Sequence, residues 1–250
     1  MLPYFVFNQI NLGPITIYTW GFFVGLGFLL GFWLILYQAK KKNLDSSKII
    51  NLFILIFLGA LIGSRLGYVL QFPKYYFSQP LEIFQIWSGG LIFYGGLIGA
   101  LFLGWLYLKK NKLDFWLMAD LIAPAAALGI SIGYLGCSLV NEHQGAITTL
   151  PWGILWPDGI IRQPVAEYLS LNSLIIFLVL WFFLKNRLKK TGQLFIIFLL
   201  WYSVSRFFLD FTRAIDTSLA DPHYLDFFTS QWVSLGILLW ITLLAKKRCL

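Results

Sequence analysis

The sequence predicts an all-α membrane protein with about seven transmembrane helices, its N-terminus outside and its C-terminus in the cytoplasm. Of the 250 residues, 59% are hydrophobic and only 12% are charged, whereas a soluble domain carries about 25% charge. Long apolar stretches alternate with short clusters of Lys and Arg. Because cytoplasmic loops carry the excess of Lys and Arg, these clusters indicate the orientation. We predict a single integral-membrane domain over 1–250.

A membrane-spanning helix needs about 20 mostly apolar residues. Seven stretches meet this requirement, at 17–37, 49–70, 91–108, 115–140, 168–184, 193–210 and 231–245. No residue before Lys40 is charged, so we expect the first span to be retained rather than cleaved as a signal peptide.

The threading places four basic clusters on one side of the membrane, and they hold fourteen of the 19 basic residues. They anchor helix ends and meet anionic lipid headgroups. The net charge of +8 therefore indicates membrane lipids as partners and not nucleic acid. The clusters are Lys40, Lys41, Lys42 and Lys48; Lys109, Lys110 and Lys112; Lys185, Arg187, Lys189 and Lys190; and Lys246, Lys247 and Arg248.

Glycines at helical spacing predict close contacts between helices. Gly59, Gly63 and Gly67 recur every four residues in the second span, and Gly21 and Gly25 do so in the first. Each set gives one smooth helix face, which allows two backbones to approach. Helix contact alone explains most of these glycines.

Several polar residues lie inside the spans, where an ionisable group is costly and is by default a candidate for function. At 1.5 Å per residue, Arg65 lies roughly 24 Å above the start of its span, Arg206 roughly 20 Å and Asp210 roughly 25 Å. Tyr134 lies roughly 28 Å up, and Tyr94 lies roughly 5 Å below the outer surface. We expect all of these polar groups in the outer half of the membrane.

Arg206, Asp210 and Arg213 stand at i, i+4 and i+7, on one helix face. Asp210 can pair with either arginine and hold it in place. Two arginines with one acid leave a positive surplus, which suits a phosphate. Three alternatives stay open: Arg213 as an interfacial anchor, Arg65 reaching the headgroups with no further role, and the Arg206–Asp210 pair as purely structural.

A second polar face precedes the loop after the fourth span. Tyr134, Cys137, Ser138 and Asn141 stand at i, i+3, i+4 and i+7, and Glu142 follows directly.

The remaining titratable residues give weaker signals. His143 and His223 each lie alone in an outer loop, where a solvated histidine is more common than a catalytic one. Asp120, about one turn above the inner surface, is expected to make a structural polar contact. No group of His, Cys, Asp and Glu has metal-ligand spacing in the sequence, and neither a nucleophile elbow nor a P-loop is present. We therefore expect no metal and no other cofactor.

Six segments carry recognisable motifs, and together they run nearly end to end. They are Leu12-Gly13-Pro14-Ile15; Gly63-Ser64-Arg65-Leu66-Gly67-Tyr68-Val69-Leu70; the stretch from Pro80 to Leu91; Phe93-Tyr94-Gly95-Gly96-Leu97-Ile98-Gly99; Gly133-Tyr134-Leu135-Gly136-Cys137 with Asn141-Glu142 and Gly145; and Arg206-Phe207-Phe208-Leu209-Asp210-Phe211-Thr212-Arg213. In order, spacing and place on the spans, they resemble the motifs of the prolipoprotein diacylglyceryl transferases of bacteria.

The resemblance implies an enzyme of lipoprotein biosynthesis in the bacterial cytoplasmic (inner) membrane. Such enzymes transfer the diacylglyceryl group of phosphatidylglycerol to the lipobox cysteine in the signal peptide of a prolipoprotein. A thioether forms and glycerol phosphate leaves. The lipid enters from the outer leaflet, so the site should face that leaflet. Arginines should take up the charge that develops on the phosphate, and the thiol needs a base or an electropositive environment.

The resemblance also implies roles for individual residues. Arg206, Glu142, Tyr94 and Tyr134 are the catalytic candidates: Arg206 for the phosphate, Glu142 for positioning the thiol or glycerol, and the two tyrosines for hydrogen bonds to the lipid. His143 is a candidate substitute base. The candidates for substrate binding are Arg65, which would also hold the phosphate, and Asp210, Arg213, Asn141, Cys137, Gly95 and Gly96.

Several family residues are replaced in this chain. The histidine before Gly-Gly is Tyr94, the signature arginine is Tyr134, and the signature asparagine is Cys137. The segment 163–169 lacks the family's histidine, glutamine and final glutamate. Tyrosine, with a pKa near 10, is a poor base at neutral pH. One alternative is therefore a non-catalytic relative that binds phosphatidylglycerol or lipoproteins. Another is a transporter or scramblase, but the repeated halves typical of transporters are not evident.

Overall fold

The structure, a computed structural model, describes residues 1–13, 15–85, 89–217 and 223–248, and at 12, 15 and 245–248 it describes the backbone alone. Pro14 and residues 86–88 of the quoted motifs lie outside these ranges. Eight α-helices are present in the described part: α1 (Thr19–Lys41), α2 (Ser46–Gln71), α3 (Pro73–Ser78), α4 (Phe93–Lys110), α5 (Phe115–Val140), α6 (Val165–Leu178), α7 (Gln193–Leu209) and α8 (Thr229–Arg248).

All helices except the short α3 coincide with a predicted apolar stretch. Five are long and apolar enough to cross a membrane: α1, α2, α5, α6 with its π-helical continuation Val179–Leu184, and α7 extended to Thr212. Only 22% to 44% of each apolar window is buried, so most of these apolar side chains face outward, as lipid contact requires. The protein is therefore a membrane protein with at least five candidate spans, and α4 and α8 as further spans stay predictions.

The chain divides into two compact units. Unit 1 comprises Met1–Ile35 and Ala119–Leu250, and unit 2 comprises Leu36–Met118. The prediction of one integral-membrane domain over 1–250 stays a prediction, and each unit is described by itself below.

In unit 2, α2 and α4 pack through their glycines. A Cβ atom on Gly63 would lie 2.3 Å from the carbonyl oxygen of Gly95, and one on Gly99 would lie 2.1 Å from that of Gly59. Such distances leave no room for any side chain, so the helices touch backbone to backbone. This confirms the predicted glycine face on the second span.

In unit 1, α1 and α5 also meet through glycine, although not at the predicted positions. A Cβ atom on Gly21 or Gly25 would have no described neighbour within 4 Å, whereas one on Gly27 would lie 2.8 Å from the carbonyl oxygen of Gly129. The contact face of α1 therefore includes Gly27 and Gly31, and the prediction for Gly21 and Gly25 was wrong. Spacing identifies a smooth face but not the side on which a neighbour lies.

The core of unit 1 is formed by α5, by α6 with its π-helical continuation, and by α7. Its buried members are Ala123, Ala127, Ile176, Leu180, Leu194 and Phe198. Asp120 holds the start of α7, because its carboxylate accepts hydrogen bonds from the backbone N–H groups of Gly192 (2.6 Å) and Phe195 (2.9 Å). This is the usual chemistry of a helix N-terminus. The predicted structural role of Asp120 is confirmed.

Short strands organise the loops of unit 1. Strand β1 (Leu2–Pro3) pairs in parallel with β4 (Ile154–Leu155), which pairs antiparallel with β5 (Ile161–Arg162). Two hairpins, β2–β3 (Gln9–Leu12 with Ile15–Tyr18) and β6–β7 (His223–Tyr224 with Phe227–Phe228), complete the strands of the described residues. An isolated bridge joins Gly145 to Arg213, so the loop after α5 lies beside the end of α7.

Candidate functional site

The end of α7 carries a buried ion cluster. The Nε atom of Arg206 lies 3.1 Å from Oδ2 of Asp210, and Nη1 of Arg213 lies 3.8 Å from Oδ1. Asp210 is fully buried and both arginines are less than a tenth exposed. The predicted pairing of Asp210 with either arginine is confirmed, since it contacts both. Two guanidinium groups and one carboxylate sum to one positive charge.

Ser230, on α8, donates a hydrogen bond to Oδ2 of Asp210. This bond and the one from Arg206 fix the carboxylate, which in turn orients the guanidinium group. A buried ionised carboxylate needs such partners, because its desolvation is costly.

Tyr134 also contacts Arg206. Its phenol oxygen accepts a hydrogen bond of 2.6 Å from Nη1 of Arg206. Tyr134 belongs to α5, so 72 positions of sequence separate the two partners. A neutral phenol therefore occupies one donor of the guanidinium group, while the carboxylate occupies another.

His143 belongs to the same cluster. Its Nδ1 atom lies 3.2 Å from Nη2 of Arg213, and its ring centroid lies 5.8 Å from that of Tyr134. His143 is therefore not alone, as the sequence suggested, because the chain reversal after α5 turns this half-buried residue back toward the helix ends. Since a guanidinium group can only donate, Nδ1 of His143 is the acceptor in this contact.

The same reversal brings three metal-ligand types together. One ligand atom each from Cys137, Glu142 and His143 all lie within 4.8 Å of one another. The backbone N–H of Glu142 donates to the carbonyl oxygen of Cys137 at 3.1 Å, and Asn141 adopts a left-handed conformation with φ of 50°. The expectation that no such group exists rested on linear spacing, which does not register a tight reversal.

Asn141 and Gly145 make contacts that shape the loop after α5. The side-chain amide of Asn141 donates to the carbonyl oxygen of Phe5, which ties the N-terminal segment to the end of α5. A Cβ atom on Gly145 would lie 2.0 Å from the carbonyl oxygen of Gln163, so only glycine fits there. The predicted substrate contact of Asn141 stays a prediction.

The contacts of Arg162 and Glu167 are among the polar contacts in the described part of unit 1 that the sequence did not predict. Arg162, only 5% exposed, pairs with Asp216 through both guanidinium Nη atoms at 3.1 Å, and this contact lowers the pKa of Asp216. Ser138 donates a hydrogen bond of 2.6 Å to Glu167. The available signal for Glu167 was a carboxylate in the first turn of an apolar helix.

Arg65, in unit 2, has partners of a different kind. Its guanidinium group donates to the backbone carbonyl oxygens of Ile83 (2.9 Å), Gly89 (2.7 Å), Gly90 (3.2 Å) and Glu82. Arg65 is 5% exposed, so these bonds hold the backbone at 82–83 and at 89–90 in place. The predicted phosphate contact of Arg65 stays a prediction, and it would compete with four carbonyl groups.

The other unit 2 candidates lie in the first turn of α4. Tyr94 is 37% exposed. A Cβ atom on Gly95 would lie 2.5 Å from the carbonyl oxygen of Gly63, and one on Gly96 would lie 3.1 Å from that of Ala60. These contacts explain both glycines through helix packing, and their role in substrate binding stays a prediction.

Comparison with known proteins agrees with the motifs. The family model for prolipoprotein diacylglyceryl transferase matches residues 8–246. Phosphatidylglycerol–prolipoprotein diacylglyceryl transferase of Nitratidesulfovibrio vulgaris (strain DP4) is 36% identical over 241 residues, which cover 94% of this chain and 89% of the relative. The enzymes of that name from Bordetella parapertussis and Bacillus licheniformis are 37% and 36% identical over 84% of this chain, and 83% and 82% of their own lengths are covered. This chain belongs to the prolipoprotein diacylglyceryl transferase family.

Proposed function

We propose that this protein is a transferase that moves the diacylglyceryl group of phosphatidylglycerol to the lipobox cysteine of prolipoproteins. Family membership gives the reaction. The observation that carries the proposal is the buried cluster of Arg206, Asp210 and Arg213 with its surplus positive charge. A lipid phosphodiester is the anion that such a cluster in an apolar protein suits.

Arg206 is the principal phosphate ligand in this proposal. A phosphate oxygen can replace the phenol of Tyr134 on Nη1 while Nε stays bound to Asp210. The exchange substitutes a charged acceptor for a neutral one, and hydrogen bonds to charged groups contribute about 1.5–3 kcal/mol. Tyr134 then becomes available to donate its own proton in a hydrogen bond to the lipid.

The chemistry forms one bond and breaks another. The lipobox sulfur forms a bond with the terminal glycerol carbon of the diacylglyceryl group, and the bond from that carbon to the phosphate oxygen breaks. The electron pair of the broken bond stays on the phosphate oxygen, the thiol proton goes to solvent, and glycerol phosphate leaves. Arg206 and Arg213 take up the charge that develops on the phosphate, and the exposed carboxylate of Glu142 positions the incoming thiol.

The proposal places the protein in the bacterial cytoplasmic membrane with seven spans, the N-terminus outside, the C-terminus in the cytoplasm and the site toward the outer leaflet. Long basic side chains at the inner ends of helices support this orientation. In three of the four basic clusters a lysine lies over the ring of an aromatic residue one turn earlier: Lys41 over Tyr37 at 4.6 Å, Lys109 over Trp105 at 5.1 Å and Lys185 over Trp181 at 3.4 Å.

Orientation can be tested with cysteines introduced one at a time at exposed loop positions, in a variant in which Cys249 is replaced by serine. That variant without an introduced cysteine measures the labelling of the remaining native thiol, the buried Cys137. Asp158→Cys should react with a membrane-impermeant maleimide in intact spheroplasts. Lys112→Cys should react only after permeabilisation. Equal labelling of both positions in intact cells would contradict the orientation.

The activity is tested with the purified protein, phosphatidylglycerol vesicles and a synthetic peptide with a lipobox cysteine. Mass spectrometry should detect the mass of a diacylglyceryl group on that cysteine. Arg187→Ala, which alters an exposed arginine of a basic cluster, is the control variant and should retain full activity. If the protein bound phosphatidylglycerol but formed no product, while an active relative formed it under the same conditions, the non-catalytic alternative would be correct.

A further inference from the structure

We propose that Cys137, Glu142 and His143 form a site for a divalent transition-metal cation of the Zn²⁺ type, with an open position for the lipobox thiolate. The inference deepens the proposed transferase function and rests on it. One ligand atom from each of the three residues already lies within 4.8 Å of the other two.

The ligand set fits zinc in type and number. Thiolate, imidazole and carboxylate are its usual protein ligands, at about 2.0–2.3 Å. Around a tetrahedral ion of that size the ligand atoms stand about 3.3–3.8 Å apart, so the side chains need to close by roughly 1 Å, within the reach of a small change in side-chain torsion.

The backbone already supplies the reversal that a compact site requires. All three ligands come from the seven residues 137–143, which are folded back by the left-handed Asn141 and by the hydrogen bond from Glu142 to Cys137. Cys137 is buried and carries a free thiol, whereas Glu142 is exposed, so a cation can enter beside the carboxylate.

The chemistry that such a cation supplies is the deprotonation of a thiol. Three protein ligands with one open position are typical of catalytic zinc sites, and a coordinating thiol loses its proton outright. The family's histidine is Tyr94 here, and a tyrosine is a poor base at neutral pH. A bound cation therefore replaces the base.

The step balances without any redox change. The substrate thiol coordinates the cation and releases its proton to solvent. Its sulfur then forms the bond to the glycerol carbon while the bond from that carbon to the phosphate oxygen breaks, and the electron pair leaves with glycerol phosphate. Cys137 remains a ligand throughout and forms no bond to carbon.

Arg213 competes with the cation for His143. Nδ1 of His143 accepts from Arg213 at 3.2 Å, and a neutral imidazole has a single acceptor nitrogen. Cation binding must therefore break this hydrogen bond, which releases Arg213 for the phosphate. Removing the competing donor with Arg213→Leu should tighten metal binding roughly tenfold, while Asp210 keeps its partner Arg206.

The site is tested by titrating Co²⁺ into the full-length protein after treatment with a chelator. A thiolate-to-cobalt charge-transfer band should appear at one cation per chain. Cys137→Ser should abolish the band, His143→Ala and the exposed Glu142→Gln should weaken binding at least tenfold, and His223→Ala, which changes the other loop histidine, should leave it unchanged. A lipobox peptide should increase the band, because it adds a second thiolate, whereas its Cys→Ser form should not.

No band in the wild-type protein, or a band that survives both Cys137→Ser and His143→Ala, overturns the site. Because Glu142→Gln alters an exposed side chain, it tests the site even where the buried Cys137 variant fails to fold.

In the activity assay, chelation should abolish thioether formation and Zn²⁺ should restore it. Full activity in protein shown to be metal-free by elemental analysis overturns the catalytic role. Absence of transfer under every condition contradicts the proposed function instead, and the Co²⁺ titration still decides whether the site exists.

Discussion

Arg65 and Arg206 are both buried arginines in apolar helices, and both were predicted to bind a phosphate, yet their surroundings differ. The guanidinium group of Arg65, in unit 2, donates to four backbone carbonyl groups, at residues 82, 83, 89 and 90. That of Arg206, in unit 1, contacts the side chains of Asp210 and Tyr134.

The difference separates two uses of the same side chain. Backbone carbonyl groups cannot move away unless the backbone around them unfolds, so an arginine bound to them has a structural role. A phenol can rotate away and let an anion take its place. Charge and depth in the membrane make both arginines candidates for binding phosphate. Their partners decide which arginine can exchange a present contact for a phosphate oxygen.

Of these variants, Arg206→Lys should have the largest effect, and the effect should be on the rate of catalysis. Lysine keeps the charge that Asp210 requires but loses the planar fork that holds an anion at two points. The transfer rate should fall about 100-fold, while the thermal unfolding midpoint stays close to that of the wild type. A variant that keeps more than half of the wild-type rate would remove Arg206 from the phosphate site.

Arg65→Lys should give the opposite result. Lysine cannot reach the same four acceptors, and buried acceptors without partners cost about 1–3 kcal/mol each, so the free energy of unfolding should fall by about 3 kcal/mol. Transfer per folded molecule should stay within about threefold of the wild type, which corresponds to a change of about 0.7 kcal/mol in the barrier, because Arg65 then contacts protein backbone and not the substrate. An unfolding curve that matches the wild type, together with lost activity, would show that Arg65 binds the phosphate as the sequence predicted.

Two glycine variants compare helix packing in the two units. Gly63→Ala places a Cβ atom 2.3 Å from the carbonyl oxygen of Gly95, and overpacking of this kind costs about 1–3 kcal/mol. Gly25→Ala, on the open side of α1, should stabilise the protein by about 0.5–1 kcal/mol through helix propensity. Unfolding in a series of denaturing detergent mixtures measures both, and equal destabilisation by the two variants would contradict the assigned contact faces.

The smallest effect concerns the ion pair of Arg162 and Asp216. The hydrogen bond from Arg162 lowers the pKa of Asp216 below its ordinary value of 3.8, so the pair stabilises the protein above that pH. This contribution is lost as the pH falls through the lowered pKa. Because Asp216 is 40% exposed, the contribution of this ion pair to the free energy of unfolding is at most about 1 kcal/mol.

Asp216→Asn should therefore be less stable than the wild type at pH 7, and the difference should shrink as the pH is lowered through 3.8 and below. Thermal unfolding across that range tests the sign. A difference that grows on acidification would show that another group controls the acid response.

Local sequence patterns predicted the helices of this protein and some of their contacts. The apolar stretches predicted the helices, because a span must satisfy its backbone hydrogen bonds within itself. The spacing of Arg206 and Asp210 predicted their ion pair, because residues four apart on a helix are neighbours. The spacing of Gly59 and Gly63 likewise predicted a contact face on α2. The first of these inferences depends on the length and apolarity of one stretch, and the other two depend on the 3.6-residue period of one helix.

The tertiary structure decided what those residues meet. The positions of the carbonyl groups at 82–83 and 89–90 decided what the guanidinium group of Arg65 donates to. The packing of α5 beside α7 placed Tyr134 on Arg206. The reversal at Asn141 gathered Cys137, Glu142 and His143. Such contacts depend on how segments distant in sequence, or joined by a left-handed turn, return to one another, and helical periodicity carries no information about that path.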